Sequence, residues 1–488
     1  FMRREFRRSR FSAQKQGRPK HIQRRGAKVN APLAWSQCSR YLSKFMVVYM
    51  RPLGLCARVA GVHYFLTMSE EESKFIFRPY AVEPVHFRND TCPRPRSGHR
   101  IVCDDQYFYC YGGYNPSLPD CIEPGVPLWA PVSPLFGEFW IFSLTNKTWK
   151  ICKVDNMPQE LASAACVLYK KNVLIFGGTG LPFGDKCNKK LMIWHTNKRF
   201  SPKSTFIMPP TTGKIPPGLY GQTIFVHEDY LYTIGGTNGF SFNCDIYRLK
   251  LSTMVWEEMY LNKGTPYEPQ GRYRHEVAIY ENKLYLIGGG TASHAFNLAQ
   301  IPTFDFETRQ WTLESSKGDR LFVPALFPNP RKCHSVVQFN TPDGDSYAVV
   351  AGGSGLNIYN CVWRLSLRKL EWTFMTKSRL PKSICFHSAT VTSQGCMYIF
   401  GGIESKQNER ARNNNVVKMW LCIPKLSEIA WEAMLFYHPQ INNINKKDLL
   451  STGIPGRFIE RLQDYAGLVR TENLQADPET RLNHFTVL

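Results

Sequence analysis

The stretch RYRHEVAIYENKLYLIGG (272–289) decides the fold. A basic and aromatic opening, RYRHE, leads into an apolar strand. A polar turn follows, then the apolar run KLYLI, then a Gly-Gly doublet. The same ending recurs at Gly112-Gly113, Gly177-Gly178, Gly235-Gly236, Gly352-Gly353 and Gly401-Gly402, after the runs YFYCY, VLIF, YLYTI, YAVVA and MYIF. Six copies at spacings of 49–65 residues mark a repeat architecture. Each run is rich in β-branched and aromatic residues and too short for a helix, so it predicts a buried strand. The glycines after it permit a positive φ and the close approach of a neighbouring chain.

A second landmark follows five of the six doublets: in four of them a bulky apolar residue five positions before an aromatic one. The pairs are Leu144/Trp149, Leu251/Trp256, Phe306/Trp311 and Leu367/Trp372, with His195/Phe200 keeping the spacing. Polar turns such as TNKT (145–148) and ETRQ (307–310) lie between, suited to tight hairpins. Before each doublet another strand opens with a polar cluster: RSGHR (96–100), ELASA (160–164), LYGQT (219–223), RYRHE (272–276), RKCHS (331–335) and FHSAT (386–390). Each unit is therefore read as four up-and-down strands, which cannot bury their own faces and must stack on neighbours. Six such units predict an all-β, six-bladed β-propeller over residues 91–423, with the aromatic of each outer strand filling the space between blades. The sixth unit is one strand short after VVKMWLCI (416–423). The segment FIFRPYAV (75–82), within the N-terminal stretch 68–90, is expected to supply it and so to remove an exposed edge.

The formal charge of +22 does not point to nucleic acid, because of where it lies. Residues 1–67 carry fifteen Lys/Arg and one acid, net +14, and the remaining 421 residues are only +8. The stretch 1–67 is read as a basic disordered tail or as non-native upstream sequence, and 45–67, broken by Arg51, Pro52 and Arg58, is a poor membrane span. No nucleic-acid or membrane partner is expected. The fifteen cysteines contain no CxxC pair and fall mostly in strand patterns, which reads as free buried thiols in a reducing compartment, cytoplasmic or nuclear. His99, His275, His334 and His387 recur at inner-strand openings and are read as structural hydrogen-bonding residues rather than metal ligands. No nucleophile–base or phosphate-loop motif occurs, so neither metal, cofactor nor catalysis is expected.

After residue 423 the pattern changes. PKLSEIAWEAMLFY (424–437) places Leu426, Ile429/Ala430, Ala433/Met434 and Tyr437 on one helical face, with Pro424 at the first helical position and His438-Pro439 as the stop. Asn445 caps a second short helix that Gly453 ends, and GRFIERLQDY (456–465) is a third. Residues 466–488 form a tail.

With its doublets and aromatic spacing the chain resembles the kelch-repeat family. The stretches RSGHR…GGYNP, PQELAS…FGGTGLPFG, RYRHEVA…LIGGGT, RKCHSVV and GCMYIFGG…AWEAML are similar to those of kelch-repeat substrate receptors of Elongin BC–cullin-2 ubiquitin ligases, over residues 75–465. The resemblance implies a non-catalytic receptor that docks Elongin B/C and cullin-2 with its RING subunit through the helical segment 424–465. Leu426, Ala430 and Met434 look like the Elongin C-binding box, though Ala430 stands where Cys is common and Lys425 replaces the usual Ser, Thr or Pro. Pro439, Ile441, Ile444 and Leu449 lie where a cullin box follows. Related receptors recognise the extreme C-terminus of target chains. Capturing a carboxylate needs donors on a concave surface. Loops opening the inner strands gather at one mouth of the propeller. This singles out Arg272, Arg274 and Arg331, with Tyr220, Gln222, His275, Ser335 and His387 beside them and either Arg272 or Arg274 as the clamp. The alternatives are helices that merely pack beneath the propeller, and a kelch scaffold without ligase activity that binds actin or a signalling enzyme.

Overall fold

The computed structural model describes residues 74–88, 91–117, 134–158, 160–201, 203–341, 344–406 and 409–462. The basic stretch 1–67 and the tail 466–488 lie outside the described residues.

Six main sheets form the blades, and a smaller three-stranded sheet accompanies blade six. Blade one comprises Arg100–Cys103, Tyr107–Tyr111, Phe139–Ser143 and Trp149–Ile151. Blade four, which carries the stretch quoted first, comprises Glu276–Tyr280, Lys283–Ile287, Gln300–Asp305 and Gln310–Ser315. Blade five is built likewise from Ser335–Asn340, Ser346–Ala351, Val362–Ser366 and Glu371–Phe374. Blade three adds the two-residue strand Thr212–Gly213, parallel to the outer strand Val255–Tyr260. Blade two departs from four strands. It has Ala165–Tyr169, Asn172–Phe176 and Met192–His195, and its outer position is reduced to one bridge between Ile193 and Ile207, just before Pro209 and Pro210.

Blade six takes strands from both ends of the chain: Ser388–Val391, Cys396–Phe400 and Val416–Trp420, with Val82–Val85 outermost. The register runs Val82↔Met419 to Val85↔Val416. The closing strand thus lies downstream of the expected 75–82, sharing only Val82. A turn at Pro79-Tyr80, with Tyr80 at φ 66°, ends the upstream segment. Its aromatics pack elsewhere, Phe77 on Trp420 and Phe75 on Phe436. Pro84 is tolerated because the strand is an edge.

Six apolar clusters lie between successive blades, each filled as the aromatic spacing predicts or by a substitute. Trp149, Trp256, Trp311 and Trp372 are buried in four of them. Between blades one and two Trp194 of the third strand takes that place, and between blades five and six Met397, Met419, Met375 and Leu421 do.

The doublets have a steric origin. A Cβ on Gly288 would lie 2.6 Å from the Arg331 carbonyl oxygen and 2.7 Å from Cε1 of His334, both of the next blade, and one on Gly289 would lie 2.6 Å from Cβ of His275 in its own inner strand. The first glycine makes room for the next blade and the second for its own. The same crowding recurs at Gly352 against His387 and at Gly401 against His99. At Gly177 the neighbour is Gln222, which stands in blade three where a histidine stands in blades one, four, five and six.

This packing generates two predictions. Gly288→Ala, at φ +60° with those contacts, should lower stability by at least about 2 kcal/mol in denaturant unfolding. Gly344→Ala, at φ +87° with nothing within 4 Å, should cost only the backbone strain of about 1 kcal/mol. The second concerns pH. Burial pushes the His275 imidazole down to about 3 and that of His387 down to about 4. It also holds His99 and His334 well below the ordinary range. Below about pH 6.5 the unfolded chain takes up protons that the folded chain refuses, so stability is full above that pH and declines as pH falls toward the folded values. His275→Gln, which installs the residue type that blade three carries at this place, should flatten this decline in thermal melts.

Candidate functional site

Where the six inner strands open, six backbone hydrogen bonds run in a closed circuit. Ser163 N–H donates to the Gly98 carbonyl (2.8 Å), Gly221 to Ser163 (2.9 Å), Arg274 to Gly221 (2.7 Å), Cys333 to Arg274 (3.1 Å), Phe386 to Cys333 (2.9 Å) and Gly98 to Phe386 (3.0 Å). All six residues have positive φ, between 54° and 69°. Four of them are not glycine, so each holds a conformation that costs about 1–2 kcal/mol. The circuit fixes which side chains face the axis: three small ones (Gly98, Ser163, Gly221), then Arg274, Cys333 and Phe386.

Arg274 uses the space left by the small residues. Its Nη2 donates to Ser163 Oγ two blades away, its guanidinium lies 4.9 Å from the Phe386 ring, and a Cβ on Gly98 would come within 3.0 Å of it. It is 4% exposed, and its Nε is buried without a hydrogen-bond partner. Burial, reinforced by nearby Arg100, pushes its pKa down. Arg100 itself bridges opposite blades, with Nη1 2.6 Å from Glu276 Oε1. Burial works against that charge, and Glu276 outweighs it and holds the pKa up. The axis is therefore crossed by one neutralised arginine and one unneutralised one.

Around Arg274 runs a row of aromatic rings: Tyr114 to Phe183 (5.0 Å between centroids), Phe183 to Tyr220 (6.4 Å) and Tyr220 to Tyr273 (6.3 Å). A cation covers each end, Arg412 5.4 Å from the Tyr114 ring and Lys332 6.0 Å from the Tyr273 ring. Burial lowers the pKa of both. Among the described residues Arg274, Arg412 and Lys332 form no ion pair within 4 Å. The mouth thus presents aromatic faces and uncompensated positive charge in a partly dry setting, chemistry that suits a carboxylate on an extended chain.

The other predicted residues are placed differently. Arg272 is buried inside blade four. Its Nε donates to the Gln270 carbonyl (3.0 Å), its Nη1 to the Gly288 carbonyl (2.9 Å), and it stacks 3.9 Å from Phe296. Arg331 repeats this in blade five with Asn329, Gly352 and Tyr359. Arg96 repeats it in blade one with Arg94, Gly112 and Phe136. These arginines clamp the first glycine of three doublets and offer no free fork to a ligand. Gln222, His275, Ser335 and His387 are buried between blades, with Ser335 Oγ 2.9 Å from His387 Nε2. Of the eight, only Arg274 and Tyr220 reach the mouth. Reading from sequence alone missed Tyr114, Tyr273, Lys332 and Arg412. A positional signal existed for the first three: the residue before each circuit residue bridges the one after the doublet, as Ser97↔Tyr114 and Tyr273↔Gly290 do. Both positions face the mouth.

The C-terminal segment forms helices α1 (Leu426–Tyr437), α2 (Lys446–Ser451) and α3 (Gly456–Ile459). Helix α1 starts two residues later than expected, with Lys425 as its cap, and Asn445 caps α2 by accepting from Asp448 N–H (3.0 Å). The buried face of α1 carries Glu428, Trp431 and Ala433, and of the stripe read from the sequence only Ala433 is fully buried. Trp431 packs with Ile441, Leu449, Phe458, Ile459 and Leu462, and Met434 lies half-buried against them. Glu428 pairs with Arg461, and Glu432 pairs with Lys418 of blade six, anchoring the helix beneath the propeller. Leu426 (56% exposed) and Ala430 remain on the open side. Of the residues assigned to cullin, Pro439 and Ile444 are exposed, and Ile441 and Leu449 are core.

Swapping the two kinds of arginine should separate scaffold from site. Arg331→Met should lower stability by about 2–4 kcal/mol, since it strands buried carbonyls. Arg274→Met should leave the melting temperature unchanged or raise it, since it removes a buried charge with no counter-charge.

Comparison with known proteins agrees with this architecture. The KLHDC2/KLHL20/DRC7 Kelch-repeats domain matches residues 82–289, and the Attractin/LZTR1 beta-propeller matches residues 231–423. The chain is 34% identical over 451 residues to the Kelch domain-containing protein 10 homolog of Drosophila melanogaster, covering 87% of this chain and 73% of that one. It is 37% identical over 373 residues to Kelch domain-containing protein 10 of Xenopus laevis (76% and 86% covered) and 35% identical over 379 residues to that of Homo sapiens (76% and 80% covered).

Proposed function

The chain belongs to the Kelch domain-containing protein 10 family of kelch-repeat β-propellers, a protein-interaction scaffold, and from that premise we propose that it is the substrate-recognition subunit of a cullin-2 RING ubiquitin ligase. It holds the C-terminal end of a target chain at the propeller mouth, with Arg274 taking the carboxylate, and docks Elongin B/C through α1. The ligase partners carry the modification chemistry, and this chain brings the target to them. Localisation in cytoplasm or nucleus belongs to the same proposal.

The observation that carries the reading is the two-sided character of α1. One side is locked to the propeller by Trp431 and by the Lys418–Glu432 pair, and the other leaves Leu426 and Ala430 open at the i, i+4 spacing of a helix-borne docking stripe. A helix that served only as a brace has no use for an exposed leucine close in the chain to exposed Ile423. At the mouth the supporting feature is Arg274, a desolvated cation lacking a counter-charge.

Leu426→Ala and Ala430→Asp should abolish co-purification of Elongin B/C from cells and leave the melting temperature unchanged, since neither residue is in the core. Retained Elongin binding in both variants would reduce the helices to a brace and favour the scaffold without ligase activity.

A further inference from the structure

Blade six carries an insertion above the mouth, the hairpin Ile403–Lys406 and Glu409–Arg412, in a three-stranded sheet whose other member is Ile384–Cys385. Among the described residues Glu409–Arg412 is the outermost strand of that sheet. The pairing Ser405↔Arg410 and Ile403↔Arg412 fixes which backbone groups face out. Ser405 N–H donates to the Ser383 carbonyl on the opposite side (3.4 Å), so residue 405 does not bond Arg410. By the alternation of an antiparallel ladder, the N–H and C=O groups of Arg410 and Arg412 point away from the hairpin, two residues apart. The foot of this strand lies at the mouth. Arg412 Nε donates to Ser97 Oγ (3.3 Å), the Asn413 carbonyl accepts from Arg96 N–H (3.2 Å), and Ser97 adjoins Gly98, whose Cβ position lies 3.0 Å from the Arg274 guanidinium.

We propose that a target's C-terminal segment binds as an added β-strand on the free edge of Glu409–Arg412, running parallel to it so that the terminal carboxylate arrives at Arg274. The proposal rests on the reading of the mouth as a carboxylate site and adds how the preceding residues are held. The free edge supplies two outward donor–acceptor sets at strand spacing, and Arg410, Arg412 and Arg274 supply charge complementary to an anionic chain end. Main-chain hydrogen bonding is indifferent to side chains, so the receptor accepts varied sequences upstream of the terminus. The parallel direction follows from the geometry: the strand runs toward Ser97, and an antiparallel guest would carry its carboxylate away from Arg274.

The test uses the full chain with acetylated decapeptides ending in a free Gly or Ala carboxylate, selected for binding from a randomised pool. Amide-resolved hydrogen exchange should slow at least about tenfold at Arg410 and Arg412 on peptide addition, with Ala411 unchanged. Arg410→Pro, which removes an outward N–H on an edge strand that tolerates proline, should weaken binding at least about tenfold more than Arg410→Ala. If peptide binds and depends on Arg274, yet the two amides stay unprotected and Pro and Ala variants behave alike, strand addition is wrong and the carboxylate reading stands. If no free-ended peptide binds, both fall.

Discussion

Everything at the mouth hangs on the closed circuit of six backbone hydrogen bonds through residues 98, 163, 221, 274, 333 and 386. Each link joins two blades, so the circuit sets their angular spacing before any side chain is considered. It also imposes positive φ on all six residues, including Ser163, Arg274, Cys333 and Phe386. That strain is distributed over the ring and offset by the apolar clusters between blades. The glycine doublets answer to the same constraint. Once the blades are this close, the side chain of one inner strand and the backbone of its neighbour occupy the volume where a Cβ would be.

The arginines divide accordingly. Arg96, Arg272 and Arg331 lie two residues before circuit positions, and each ties its guanidinium to the carbonyl of the first glycine in a doublet. They hold the blade top rigid. Arg274 occupies a circuit position itself, and the small residues across the axis let it lie over the channel. Arg100 beside it is neutralised by Glu276. A buried guanidinium left without a carboxylate destabilises the fold on its own, which is the expected signature of a group awaiting an anionic guest.

Sequence periodicity carried most of the architecture, because doublets and five-residue aromatic spacings are local. The blade count, the interblade tryptophans, the borrowed strand and the helical segment after residue 423 were all legible. Errors arose where distant contacts decide. The closing strand slid to Val82–Val85 because Phe75 and Phe77 find better burial against Phe436 and Trp420. Blade two lost its fourth strand next to Pro209-Pro210. In α1 the stripe through Leu426, Ala430 and Met434 reads as a docking box, and the anchoring role of Trp431 is set by residues farther along the chain. The site was the least legible part, since Arg272 and Arg274 differ by two positions and only the circuit tells which one faces the axis.

The most direct test of Arg274 as the carboxylate clamp is a double-mutant cycle at the mouth, crossing Arg274→Met with amidation of the C-terminus of a bound peptide and reading the four affinities by calorimetry. A carboxylate held by Arg274 predicts that amidation weakens binding to the wild-type chain by about 2–5 kcal/mol, at least about thirtyfold, and has little further effect on the Arg274→Met variant. Equal losses on amidation in both backgrounds would place the carboxylate elsewhere and contradict the assignment.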